Sequence, residues 1–250
     1  MPAWFGDCTP KSRVGSGAIL NLAIVGCGKM GRLIEQLAPE YGCKVKVRLD
    51  VDNNSRFEAL TAENFAGIDV AVEFSNPAAA PENLERLAKL GINSVSGTTG
   101  WTAQAARVRA AIDQYGTALV WGPNFSIGVW VFSQIVSEAA QLLATQPEYG
   151  AWAWEIHHAA KKDAPSGTLL ALIESMKKIG YARPIDSSSS RAGAHPGTHE
   201  IGFDSAADTI TIRHTARNRE GFARGALRAA RWVAGKKGFY EFRDIVRELA

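Results

Sequence analysis

The junction between Ile19–Val25, read ILNLAIV, and the turn Gly26-Cys27-Gly28-Lys29-Met30-Gly31-Arg32 constrains this chain more than any other stretch. An apolar run this short, with Asn21 as its one polar residue, fits a strand covered on both faces, as happens in parallel sheets flanked by helices. The glycines that follow allow a tight reversal and let backbone N–H groups come close to a bound group. From Met30 to about Glu40 the pattern becomes helical, with Leu33, Ile34 and Leu37 on one face. A strand, a glycine turn and a helix in that order begin a right-handed βαβ unit.

The alternation continues. Lys44–Asp50 (KVKVRLD) alternates like a strand with one solvated face, and Ile68–Phe74 (IDVAVEF) reads as a third strand. Pro81–Leu90 is helical, Ile92–Gly97 a fourth strand, Thr102–Tyr115 another helix and Thr117–Trp121 a fifth strand. Strands alternating with helices of this length predict an α/β unit with a parallel sheet. After Asn124 the pattern changes. Ser126 caps an apolar helix running to about Ala144, followed by AWAWEIH, a helix from about Ser166, the stretch SSSRAG, and two strand-like runs, THEIGF and DTITIRHTA. These predict an α+β segment with a mixed or antiparallel sheet, before GFARGALRAARWVAG returns to helix. The run Ser187–Ser190 is too short to read.

The charge balance narrows the partners. The net charge of +3 is small and the basic residues are dispersed, so neither nucleic acid nor an anionic membrane surface is expected. Gln114–Ser137 carries no charge, but Gly122-Pro123-Asn124 interrupts it, and a spanning helix needs about 20 unbroken apolar residues. Cys8, Cys27 and Cys43 form neither a metal-ligand pattern nor an even-numbered framework, which suits a reduced, cytoplasmic setting. Residues 1–18 lack the apolar core of a secretory signal and are expected to be a disordered tail.

A glycine turn between strand and helix also places a helix N-terminus where a pyrophosphate is favoured. Read against the usual G-x-G-x-x-G, the turn is expected to be one residue short. Asp50 ends the second strand, where an acid accepts a hydrogen bond from an adenosine ribose and disfavours a 2′-phosphate. NADH is therefore expected to be favoured over NADPH, unless Arg56 or Lys29 swings in. Gly97-Thr98-Thr99-Gly100-Trp101 and Gly122-Pro123-Asn124-Phe125-Ser126 each follow a parallel strand, at the end where such sheets bind ligands.

The residues richest in chemistry lie at Glu155–Thr168, EIHHAAKKDAPSGT. Adjacent strand residues point to opposite faces, so His157 and His158 need not share a task. Pro165-Ser166-Gly167-Thr168 opens the helix LLALI, whose first N–H groups are free to hold an anion. An imidazole, the Lys161 ammonium and a helix N-terminus suit a dianionic small molecule and a proton-transfer step. No third ligand is suitably spaced for a metal to join the histidine pair, and none is expected.

The motif E-x-H-H-x-x-K-x-D-x-P-S-G-T resembles the signature of the 4-hydroxy-tetrahydrodipicolinate (dihydrodipicolinate) reductase family. Gly-x-Gly-Lys-Met-Gly, Val72–Ser75 (VEFS), Gly-Thr-Thr-Gly, Asn124–Gly128 (NFSIG) and Gly221–Ala226 (GFARGA) stand in the family's order, so the resemblance spans about residues 19–245. It implies a Rossmann-like cofactor domain formed by 19–125 and 215–250. A substrate-binding and oligomerisation domain, 126–214, is inserted, and its sheet builds a homotetramer. It implies reduction of 4-hydroxy-tetrahydrodipicolinate to tetrahydrodipicolinate with NADH or NADPH, in lysine and diaminopimelate biosynthesis. His157 and Lys161 match the catalytic pair, and His158, Lys161, Ser166, Gly167 and Thr168 match substrate contacts. Gly26, Cys27, Gly28, Lys29, Met30, Phe74, Ser75, Gly97, Thr98, Thr99, Gly122, Pro123, Asn124 and Phe125 match cofactor contacts. Hinges are expected near Asn124 and Thr215. The chain departs from the family in its shorter first loop, in Lys29 for an arginine, in His195–His199 and in residues 1–18. Another Rossmann reductase, such as an amino-acid dehydrogenase, or a non-catalytic dinucleotide sensor are the alternative readings.

Overall fold

The computed structural model describes residues 19–249, so the tail expected at 1–18 lies outside the described residues. The chain divides into two compact units. One ends at Phe125 and resumes at Phe222, and the other is Ser126–Gly221.

The first unit holds a six-stranded parallel sheet. Its elements in chain order are β1 (Leu20–Val25), α1 (Lys29–Leu37), β2 (Cys43–Leu49), α2 (Val51–Asn54), β3 (Val70–Glu73), α3 (Ala80–Lys89), β4 (Asn93–Ser96), α4 (Ala105–Tyr115) and β5 (Ala118–Trp121). The spatial order is β2, β1, β3, β4, β5, and the outermost position beside β5 belongs to a late strand from the chain's end. β1, β3 and β4 lie inside the sheet and are buried along nearly their whole length, although β4 (NSVS) carries three small polar residues; Leu22 and Ile24 are fully buried, each worth roughly 1.5–3 kcal/mol. β2 is an edge strand, and its Lys44-Val45-Lys46 alternation turns the charges outward. α3 and α4 contribute Leu84, Ala88, Val108 and Ile112 to a core that also holds Leu119 of β5.

The second unit contains α5 (Ile127–Leu143), β6 (Gly150–His157), α6 (Gly167–Lys178), β7 (Ile185–Arg191), β8 (Thr198–Asp204) and β9 (Thr209–Thr215). Its sheet is mixed, in the order β7-β6-β8-β9, with β7 parallel to β6 and the other pairs antiparallel. Ser126 caps α5 as expected, its hydroxyl accepting from Val129 N–H at 3.2 Å. Ala151, Ala153, Ile201 and Phe203 turn one face of the sheet toward Phe132, Val136, Leu169 and Leu172 of the two helices. The other face carries Trp152 and Trp154. Trp152 lies flat on Gly202, where a Cβ would come within 2.1 Å of the indole.

α7 (Glu220–Val233), β10 (Gly238–Glu241) and α8 (Phe242–Ile245) close the chain. β10 pairs in parallel with β5 and completes the first sheet. α7 packs very close: a Cβ on Gly225 would stand 1.8 Å from the Phe125 carbonyl oxygen.

Candidate active site

The carboxyl ends of β1, β2 and β3 open into a cavity of about 280 Å³ lined by Gly26, Gly28, Asp50, Phe74 and Ser75, among others. Gly26 sits at φ +96°, and a Cβ there would meet the Phe74 carbonyl oxygen at 2.4 Å, so glycine is required on both counts. Gly28 caps α1 with open space where its Cβ would be, and no side chain caps the helix. Gly31 lets α1 approach the turn, since a Cβ would fall 2.2 Å from the Gly26 carbonyl oxygen. The three glycines therefore stand at the full G-x-G-x-x-G spacing, which corrects the expectation of a loop one residue short of that pattern. Bare backbone at a helix N-terminus facing a cavity fits the pyrophosphate of a dinucleotide.

Asp50 lines the same cavity and also caps α2: its carboxylate accepts from Val51 N–H at 2.9 Å, while the Asn53 side chain accepts from Asp50 N–H at 2.8 Å. Arg48 is turned away in an ion pair with Glu35. The other cofactor candidates are organised around a carboxylate that the sequence did not single out. Glu73, fully buried at the end of β3, accepts from Ser75 N–H at 2.9 Å, Ser96 Oγ at 2.6 Å, Thr98 Oγ1 at 3.0 Å and the Ser75 hydroxyl. Burial pushes its carboxyl above the ordinary range, against the pull of these donors. The hydroxyls of Ser75 and Thr98 thus tie two loops to Glu73. Gly97 makes room for the Phe74 ring, which would lie 2.1 Å from an added Cβ, and Phe74 stacks toward Phe125 at 6.1 Å between centroids. Thr99 and Pro123 are exposed, and Cys27, Lys29, Met30 and Asn124 flank the same strand ends.

In the second unit the chemistry gathers around Glu155, also fully buried. Its Oε1 accepts from Ser166 N–H at 2.8 Å, Ser189 Oγ at 2.9 Å and the Arg191 guanidinium at 2.9 Å. Its Oε2 faces His157 Nδ1 at 3.3 Å and His199 Nε2 at 3.4 Å. Strand register explains the convergence. Glu155 and His157 share one face of β6, and Glu155 is paired with His199 on β8 and with Ser189 on β7, while His157 is paired with Arg191. Burial alone would raise the Glu155 pKa, but the donors from Ser166, Arg191 and Ser189 outweigh it and bring it down to about 2. Burial, followed by the nearby His157, brings His199 down to about 4. Burial likewise lowers His157, opposed by Glu155 and reinforced by Lys161 and Arg191.

Ser166 is the N-cap of α6, its Oγ accepting from Leu169 N–H at 3.2 Å and lying 3.2 Å from His199 Nε2. It is buried behind the helix end, whereas Gly167 is exposed and Thr168 half-buried. Lys161 Nζ is held by the Asp163 carboxylate at 2.7 and 2.8 Å. Asp163 is itself held below its ordinary range, first by Lys161 and also by the Gly167 N–H. His158 contributes its carbonyl oxygen to the turn, accepting from Lys161 N–H at 3.1 Å.

His199, Arg191 and Ser189 are absent from the motif and enter only through strand pairing. Their signal was present but unreadable: the serine run Ile185–Arg191 forms a strand because its backbone pairs with β6 and its hydroxyls meet Glu155 and Trp154. His158 of the histidine pair takes no part in this cluster, and His199 from β8 stands beside His157 instead. Glu155, His157 and His199 hold ligand atoms within 4.8 Å of one another. The residue types suit a small divalent cation, but the Arg191 guanidinium on the same carboxylate and the charge of Lys161 oppose one there.

Among the described residues no helix is long and apolar enough to cross a membrane. Residues 20–125 match the model "Dihydrodipicolinate reductase, N-terminus" and residues 128–246 match "Dihydrodipicolinate reductase, C-terminus". A 4-hydroxy-tetrahydrodipicolinate reductase of Christiangramia forsetii is 34% identical over 92% of this chain and 99% of its own length. One from Xanthomonas euvesicatoria is 39% identical over 88% and 94%. Among solved structures, a dipicolinate-bound dihydrodipicolinate reductase from Paenisporosarcina sp. TG-14 covers 91% of this chain and 99% of that one, with a TM-score of 0.75 and 22% identity, a likeness that shows the fold.

Proposed function

The chain belongs to the dihydrodipicolinate reductase family, and from that premise we propose that it reduces 4-hydroxy-tetrahydrodipicolinate to tetrahydrodipicolinate, favouring NADH over NADPH, in the cytoplasmic route to diaminopimelate and lysine. The overall change consumes the substrate, a reduced nicotinamide and a proton, and yields the product, the oxidised nicotinamide and water. The observation that carries the reading is the cluster of Glu155, His157 and His199 next to the N-terminus of α6 and Lys161.

The glycine turn and the cavity beside Asp50 would hold the dinucleotide, whose nicotinamide supplies the hydride. Loss of water from the substrate leaves a conjugated imine, and hydride addition at one end leaves negative charge at the other. His157 donates the proton that neutralises it, a general-acid role typically worth 10²–10⁴-fold. The Gly167 and Thr168 amides and the Lys161 ammonium hold the substrate's carboxylates and the developing charge. Asp163 stands in for that carboxylate on Lys161 and yields when substrate arrives. Hinge motion belongs to this reading, at the chain's crossings after Phe125 and after Gly221. The first crossing follows Asn124 by one residue, and the second lies six residues beyond Thr215. The half-buried Trp152 and Trp154 on the outer face of the second sheet support assembly into a homotetramer, which light scattering at micromolar concentration tests; a monomer mass would contradict it.

The deciding assay follows nicotinamide oxidation with substrate generated in situ from pyruvate and aspartate semialdehyde by the preceding enzyme. Oxidation that depends on both precursors is expected. Cofactor binding without turnover would favour a dinucleotide sensor instead.

A further inference from the structure

Resting on His157 as the proton donor, we propose that Glu155 is a positioning residue that fixes a proton on His157 Nδ1, so that the reaction draws its proton from Nε2. Three donors on Oε1 lock the plane of the Glu155 carboxylate: Ser166 N–H, Ser189 Oγ and the Arg191 guanidinium. That leaves Oε2, a fully buried oxygen with no other hydrogen-bond partner. His157 Nδ1 is buried and equally without another partner, 3.3 Å away. Two such atoms facing each other are satisfied together when Nδ1 carries the proton and donates it to the carboxylate. Contacts of this kind are commonly long before substrate binds and tighten in the complex.

Once Nδ1–H is committed to Glu155, the second proton of the imidazolium resides on Nε2. That edge is open because residue 197 is glycine: a Cβ there would stand 3.0 Å from both Nε2 and Cδ2 of His157. His199 is the other imidazole on Oε2, 3.4 Å away, with Ser166 Oγ at 3.2 Å from the same nitrogen. Burial keeps His199 neutral, so it does not compete as a second cation for the carboxylate. The charged groups facing His157 are then Glu155 from β6, Arg191 from β7, and Lys161 and Asp163 from the loop after β6. The two acids favour its protonated form and the two bases oppose it. His214 from β9 lies behind His199.

The substitution Glu155→Gln tests the assignment. The amide keeps an oxygen for the three donors but presents an NH₂ to the imidazoles, which donates to Nδ1 and favours the opposite tautomer. The imidazolium also loses its neighbouring negative charge. At pH 7.5 kcat/KM should fall at least about tenfold, because the basic limb of the pH profile moves down by about one pH unit. Activity should recover as the pH is lowered toward about 5.5, with cofactor KM unchanged, and Glu155→Asp should restore part of the loss. Nitrogen-15 shifts of the histidine rings provide a readout independent of turnover. An Nδ1–H tautomer of His157 is expected in the unmodified protein, and Nε2–H in the glutamine variant. An Nε2–H tautomer in the unmodified protein, or a lower kcat with an unmoved pH profile, would overturn the positioning role alone. Near-normal turnover of His157→Ala would instead overturn the reading on which it rests.

Discussion

His199→Gln should remove about 2 kcal/mol of the acid sensitivity of the second unit between pH 6.5 and 5. The imidazole is 5% exposed and its pKa falls from the ordinary 6.5 to about 4, through burial first and then the neighbouring His157. A group with a depressed pKa contributes stability that is fully present above its unfolded value, about 6.5, and is lost as the pH falls toward its folded value. In that window the unfolded chain binds the proton and the folded chain does not. Each pKa unit is worth about 1.4 kcal/mol, so the full window is worth about 3 kcal/mol and the portion between pH 6.5 and 5 about 2 kcal/mol. Burial depresses His157 and His214 as well, so they add slope of the same sign. The informative quantity is therefore the difference between variant and unmodified protein at each pH. Glutamine retains a group able to meet Ser166 Oγ. Urea unfolding followed by tryptophan fluorescence, at pH 7.5, 6.5, 5.5 and 5.0, should show the unmodified protein losing about 2 kcal/mol more than the variant. Parallel curves for the two proteins would refute the claim that His199 is buried neutral.

Acid below pH 4.5 reports on Glu155 instead. Its folded pKa of about 2 means that stability present above about 4.5 is lost as the pH falls toward 2, and Glu155→Gln should flatten that limb in the same unfolding assay. Turnover measurements on His157→Ala and Lys161→Ala should each show kcat lower by at least about 10²-fold, with the cofactor dissociation constant nearly unchanged because the glycine turn belongs to the other unit; exposed Lys162→Ala should be mild. Asp50→Asn keeps the cap on α2 but removes the charge, so the ratio of kcat/KM for NADH to that for NADPH should fall, and an unchanged ratio would discard the ribose role. Gly225→Ala forces a methyl to 1.8 Å from a backbone oxygen and should lower the melting temperature, at a cost of at least about 2 kcal/mol.

The sequence by itself determined what is local. ILNLAIV, IDVAVEF and TALVW are apolar because their strands lie inside a parallel sheet, and the glycine spacing after β1 follows from turn geometry that only glycine meets. Ser126 and Ser166 announced the helices they cap, and the period of two set His157 and His158 apart. What only the tertiary structure decided is everything that depends on which strands pair. Ile185–Arg191 is too polar to read as a strand and becomes one because β6 offers its edge and Glu155 offers an acceptor to Ser189 and Arg191. Gly238–Glu241 is short and follows two lysines, yet it completes the first sheet beside β5. His199 stands 44 residues from Glu155 in the chain and directly opposite it in the sheet. The two fully buried carboxylates among the described residues, Glu73 and Glu155, could not be told from surface acids in the sequence. Both are tolerated in the interior because hydroxyl and amide donors from neighbouring strands and loops, joined at Glu155 by a guanidinium, converge on them, and that convergence exists only after the chain has folded.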